Sequence, residues 1–209
     1  MNRLILLRHG QSQWNLENRF TGLKNVPLTE KGKAEAKIAG QILKKNNINI
    51  DIIFSSILLR ANETAEITVK ELEFKHLWSD NKLIMTCDKS LNERDYGDLV
   101  GLNKEETAKK YGSEQVHIWR RSFDISPPGG ESLKNVVDRV KPFFIKFIEP
   151  EISNKKNILI VAHGNSLRAT MIQVGLYKAN EISEIEIPTG KPFVINYEFN
   201  KIVSSEFLM

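Results

Sequence analysis

Short, wholly apolar runs alternate along this chain with stretches of helical periodicity, and that alternation limits the possible folds more than any other feature. Leu4-Ile5-Leu6-Leu7 reads as a buried strand, and Ile158-Leu159-Ile160-Val161-Ala162 as another far downstream. Residues 50–55 and the region near 82–86 also have strand character, and a last strand is expected near 193–199. A helix opens at Thr29, a favourable N-cap, and carries Ala36, Ala39, Ile42 and Leu43 at helical spacing. Another runs from Leu58 to about Leu72, and a short one starts at Asn103 with Glu106 at capping-box distance. The longest opens near Ser132 and should bury Leu133, Val136, Val137, Val140, Phe144 and Phe147, with Pro142 kinking or breaking it. This order predicts an α/β fold with a largely parallel sheet. No repeat, low-complexity tract or linker divides the chain, so residues 1–209 read as a single domain.

Composition excludes several classes of function. At 41% hydrophobic and 27% charged, the chain can bury an ordinary core, and no apolar run is long enough to span a membrane. Arg8 interrupts the first apolar run and no cleavage site follows, so no signal peptide is expected. One cysteine, Cys87, fits a reducing cytoplasm, and its place beside Met85 predicts a small core residue. The net charge of +4 is small and unclustered, without the interleaved aromatics of a nucleic-acid surface. A mild positive balance suits a cleft that attracts small anions. No histidine pair has zinc-ligand spacing, so no metal is expected.

The polar residues that follow the apolar runs carry the chemistry. Arg8-His9-Gly10 closes the first run, and His163-Gly164-Asn165-Ser166 closes Ile158-Leu159-Ile160-Val161-Ala162. Ligands bind at the carboxyl ends of strands in α/β sheets, so parallel neighbours would bring both imidazoles to one edge. Arg60, in the first turn of a helix that follows a strand, can reach back over that edge. Phosphoryl transfer needs a nucleophile, a cationic cage for the equatorial oxygens and a proton donor for the leaving oxygen. His9 fits the first role, Arg8, Arg60 and His163 the second, and Glu93 the third. Taken singly, Glu93 would be a solvated surface acid, Arg120-Arg121 a surface pair and Lys104 a helix-face charge. His76 and His117 read as surface or structural residues.

Together these segments resemble the histidine phosphatase superfamily, and within it the cofactor-dependent phosphoglycerate mutases. Arg8-His9-Gly10-Gln11-Ser12-Gln13-Trp14-Asn15 and Phe20-Thr21-Gly22 are similar to that family's signature. So are Leu91-Asn92-Glu93-Arg94-Asp95-Tyr96-Gly97, Trp119-Arg120-Arg121, His163-Gly164-Asn165-Ser166-Leu167-Arg168 and Ile187-Pro188-Thr189-Gly190. The resemblance implies a three-layer sandwich with a mostly parallel central sheet flanked by helices. It implies that His9 is phosphorylated during turnover and that Glu93 shuttles the substrate's hydroxyl proton. Arg8, Asn15, Arg60, His163 and Gly164 would bind the transferred phosphate. Ser12, Thr21, Gly22, Tyr96, Lys104, Arg120, Arg121 and Asn165 would hold the rest of a small phosphoglycerate. 2,3-Bisphosphoglycerate would prime His9 without a metal, and a homodimer is an assembly the resemblance allows.

The chain departs from the longest family members in its short segment 126–132, in Asp95 where histidine is common, and in its short tail after Phe199. These bear on how well the cleft excludes water. An open cleft would hydrolyse the phosphohistidine and make the protein a phosphatase. A non-catalytic anion binder would lack His9, His163 or Glu93, and all three are present.

Overall fold

The computed structural model describes residues 1–209. The chain enters the sheet at once through β1 (Asn2–Arg8), then passes α1 (Gln13–Leu16) and α2 (Glu30–Lys45) to β2 (Ile52–Ser55) and α3 (Leu59–Leu72). A small hairpin, β3 (Trp78–Ser79) with β4 (Lys82–Leu83), stands apart before β5 (Thr86–Cys87) rejoins the sheet. Next come α4 (Lys104–Tyr111), α5 (Ser113–Arg121), α6 (Leu133–Phe143) and α7 (Glu149–Ser153). The chain ends with β6 (Ile158–Ala162), α8 (Gly164–Gln173), α9 (Ala179–Ile182), β7 (Phe193–Glu198) and β8 (Lys201–Phe207).

The six-stranded sheet has the order β5-β2-β6-β1-β7-β8. β5, β2, β6 and β1 run parallel, while β7 and β8 extend the sheet antiparallel. Alternate residues of the apolar strands feed opposite layers, as the two-residue period of a strand requires. Leu4, Leu6, Ile158 and Ile160 pack with α6 and α8, whereas Ile5, Leu7, Leu159 and Val161 pack with α2 and α3. Small residues let α2 and α3 approach closely, and Thr68 Oγ1 donates to the Ala36 carbonyl between them at 3.0 Å. Thr29 caps α2 by accepting from the Gly32 amide at 3.0 Å. No helix is long and apolar enough to cross a membrane.

Four expectations are corrected. The strand expected near 82–86 splits into a hairpin arm and the two-residue β5. Cys87, on that short outer strand, is exposed rather than part of the core. The long helix runs through Pro142, which lies inside α6, and then widens into a π-helical turn at Phe144–Ile148 before α7. That wider turn moves the buried stripe on by one residue, so Ile148 and Ile152 face the core and Phe147 is 40% exposed. Finally, the tail after Phe199 is the strand β8, joined to β7 by Phe199 and Asn200 in left-handed conformations.

Gly10, just past β1, meets Gly32 of α2 main chain to main chain, and a Cβ on Gly10 would enter the Gly32 carbonyl. Gly10→Ala should therefore destabilise the fold by about 1–3 kcal/mol, the usual range for overpacking, in urea unfolding followed by circular dichroism. Unchanged stability would mean that the two segments separate without cost.

Candidate active site

Parallel pairing of β1 with β6 sets Arg8 opposite Ala162, and the His9 amide extends the ladder by donating to the Ala162 carbonyl at 3.0 Å. His9 and His163 therefore leave the sheet side by side, with ring centroids 5.0 Å apart. Both are buried. The Gly10 carbonyl lies 2.7 Å from His9 Nδ1 and can only accept, so Nδ1 carries the proton and Nε2 keeps its lone pair. Arg60 Nε donates toward that lone pair at 3.3 Å. Burial first, then the charges of Arg60 and Arg8, hold the His9 imidazole well below its ordinary pKa. His9 is thus a neutral imidazole with an oriented ring and an unprotonated Nε2.

His163 is held by Ser56, whose Oγ lies 2.8 Å from Nε2 and also accepts the Leu58 amide at 3.2 Å. His163 Nδ1 and Arg8 Nε are both buried without a partner, and the guanidinium N–H is a donor that an anion would satisfy. Burial, then Arg60 and Arg8, also holds His163 well below its ordinary pKa.

Arg60 follows β2 on the first turn of α3 and is fully enclosed. Its Nη1 donates to the Lys24 carbonyl at 2.7 Å and Nη2 to the Gly22 carbonyl at 3.0 Å, so it ties the Thr21-Gly22 loop to His9. Burial pulls its pKa down to about 10, which leaves it charged at neutral pH. Arg8 is anchored by Nη1 on the Ile187 carbonyl at 2.9 Å. Glu93 Oε1 accepts the Arg94 amide at 2.8 Å, the Asn165 side chain at 2.9 Å and the Asn165 amide at 3.2 Å. Oε2 accepts no hydrogen bond and is free to exchange a proton. Burial pushes this carboxyl up, but those donors and the charges of Arg8 and Arg60 together hold it below the usual range.

Two adjoining hollows share Arg8, Glu93, Tyr96 and Lys104. The inner one is also lined by His9, Asn15, Thr21, Gly22 and Arg60. The outer, of about 230 Å³, adds Arg120, Arg121, Gly164 and Asn165. A larger hollow, about 770 Å³, lies along α3 beside Trp78 and contains neither histidine. Ser12 does not line the site. It is buried as the cap of α1, accepting the Asn15 amide at 3.4 Å while its own amide donates to Asn15 Oδ1 at 3.1 Å, so it holds Asn15 in place. Sequence reasoning assigned nothing to Arg168, which lines the outer hollow and whose Nε donates to the Ile185 carbonyl at 2.8 Å. Its position four residues after Gly164, on the same helix face, was the available signal. Glu186 was also missed; it sits on Arg121 Nη2 at 2.9 Å. No group of three or more His, Cys, Asp or Glu side chains is arranged to hold a metal ion.

The chain that builds this site is similar to known proteins. The model of the histidine phosphatase superfamily, branch 1, matches residues 4–207. A 2,3-bisphosphoglycerate-dependent phosphoglycerate mutase from Mesorhizobium japonicum is 47% identical over 203 residues, covering 97% of this chain and 96% of that one. The enzyme of the same name from Bartonella henselae is 46% identical, covering 99% and 97%. Among solved structures, a mycobacterial glucosyl-3-phosphoglycerate phosphatase complexed with VO3 aligns with a TM-score of 0.76 at 28% identity, covering 94% of this chain and 93% of that one. On the match across nearly its whole length, the chain belongs to the histidine phosphatase superfamily, branch 1.

Proposed function

We propose that this protein interconverts 2-phosphoglycerate and 3-phosphoglycerate through a phosphohistidine at His9. One observation carries the reading: the unprotonated Nε2 of His9, approached by Arg60, lies in a hollow lined also by Arg8 and by Glu93 with its unbonded oxygen, and the His163 ring stands 5.0 Å away. The name shared by the similar mutases supports the choice of substrate. The rim supplies what a glycerate with a carboxylate and a second phosphate needs, in Lys104, Arg120, Arg121 and Arg168. The unpartnered N–H of Arg8 Nε fits an anion such as 2,3-bisphosphoglycerate, which when bound would supply the phosphoryl group that primes His9.

His9 starts each turnover phosphorylated on Nε2. As the substrate hydroxyl attacks phosphorus, Glu93 Oε2 takes its proton, the carboxyl being held ionised by its donors and by Arg8 and Arg60. Arg8, Arg60 and His163 hold the equatorial oxygens while the bond to Nε2 breaks. Nε2 then attacks the other phosphate, and Glu93 returns the proton to the departing oxygen. Guanidinium groups neutralise the developing charge, so the reading calls on no metal. In the same reading residues 1–209 act as one domain in the cytoplasm, as a monomer or homodimer, with small phosphoglycerates as ligands.

Conversion of 3-phosphoglycerate should depend on traces of 2,3-bisphosphoglycerate, measured by coupling 2-phosphoglycerate to its dehydration. Inorganic phosphate released at the same rate without the bisphosphate would make the protein a phosphatase. His9→Ala should abolish turnover and acid-labile labelling with the fold intact, and Glu93→Gln should slow turnover by roughly 10²–10⁴-fold. The pH dependence follows from His9. Because only the neutral ring attacks and its pKa is depressed, phosphorylation of His9 should persist as pH falls through 6.5 and fail only well below it. An acid limb at an ordinary imidazole pKa would contradict the enclosed geometry of the ring.

A further inference from the structure

Glu93 stands on a stretch of chain with no ladder of its own, between a 3₁₀ turn at Lys89–Leu91 and another at Gly97–Leu99. No backbone amide reaches the carbonyls of Ser90, Asn92 or Glu93. One side chain does. Arg139, on α6, donates from Nη1 to the Ser90 carbonyl at 2.7 Å, and from Nη2 to the carbonyls of Asn92 at 3.1 Å and Glu93 at 3.0 Å. The same guanidinium grips Glu131 through both of its oxygens, at 2.8 and 3.0 Å. Glu131 in turn accepts the Asp95 amide at 2.9 Å, and its own amide donates to the Asp95 carbonyl at 2.9 Å. The chain on both sides of Glu93 is therefore fastened to a single ion pair.

We propose that the Arg139–Glu131 pair positions the proton-shuttling carboxylate, Arg139 gripping the carbonyls of Asn92 and Glu93 so that Oε2 faces the reacting oxygen. The inference rests on the role read for Glu93 above. Neither residue lines the hollows, so the pair acts through Glu93 and does not touch substrate. The chemistry requires arginine. Its planar fork can engage a carboxylate in parallel and still present donors to three carbonyls, which the tetrahedral ammonium of lysine cannot do. The charge of Arg139 also reaches His163, helping to keep that ring neutral. Glu131 lies in the short segment after Pro127-Pro128, so the loop that departs from the longer family members here braces the acid.

The test is a double-mutant cycle between Arg139→Lys and Glu93→Gln, with kcat and KM for 3-phosphoglycerate measured on variants whose circular dichroism matches the parent. Arg139→Lys should lower kcat by about 10–100-fold, the scale set by misplacing a reacting group by about an ångström, and leave KM within about threefold. Added to Glu93→Gln it should cost less than about twofold more, because the carboxylate it positions is already gone. Glu131→Gln, which keeps the shape and removes the charge, should show the same pattern more weakly and serves if Arg139→Lys fails to fold. A parental kcat in both variants, a loss confined to KM, or losses that multiply in the double variant would overturn the proposal. A parental kcat in Glu93→Gln alone would refute the proton-shuttle role, and the positioning role with it.

Discussion

The pairing of β1 with β6 is the constraint on which the rest of the molecule depends. Two runs of residues, each apolar throughout, can be satisfied only where helices cover both faces of a sheet, and the parallel register then leaves their ends level. His9 and His163, more than 150 residues apart in the chain, start from neighbouring points on that edge. A slip of one residue would exchange the side chains packed against the two helical layers and would carry one imidazole away from the other. The same apolar packing that stabilises the fold therefore sets the distance between the two rings.

Around those rings the site concentrates positive charge. Arg8, Arg60, Lys104, Arg121 and Arg168 surround Glu93, and the two histidines are kept neutral by burial. Such a cluster is costly without an anion, because like charges in a partly desolvated space repel. The protein offsets this by spending guanidinium donors on backbone carbonyls: Arg8 on Ile187, Arg60 on Gly22 and Lys24, Arg168 on Ile185. These bonds hold the cations apart and aimed inward before any ligand arrives, which is the preorganisation that electrostatic catalysis requires.

Much of this was legible from residue order. Polar residues that abruptly end an apolar strand point to His9 and His163, the first turn of the next helix points to Arg60, and only the motif around it points to Glu93. What escaped notice has identifiable causes. Phe147 was misassigned because a helical wheel assumes constant pitch, and the π turn after Pro142 breaks it. β8 alternates weakly and turns at Phe199-Asn200 without a glycine, so it gave little signal. Ser12 sits inside a binding motif yet caps a helix. The bearing of Arg139 on Glu93 is not legible in the sequence, since it reaches that stretch through main-chain carbonyls that leave no trace in side-chain identity.

The central position of β1 also bears on how the chain reaches its native state. Its hydrogen-bonding neighbours, β6 and β7, come from residues 158–162 and 193–198. β1 therefore finds its place only when both of these distant segments are available, and its two edges stay unpaired until then. Closing so long a loop before any reward arrives slows assembly and leaves Leu4–Leu7 open to misplaced pairing in the interval. Arg3 and Arg8, which bracket that stretch, place a charge at each end of the most adhesive segment in the molecule.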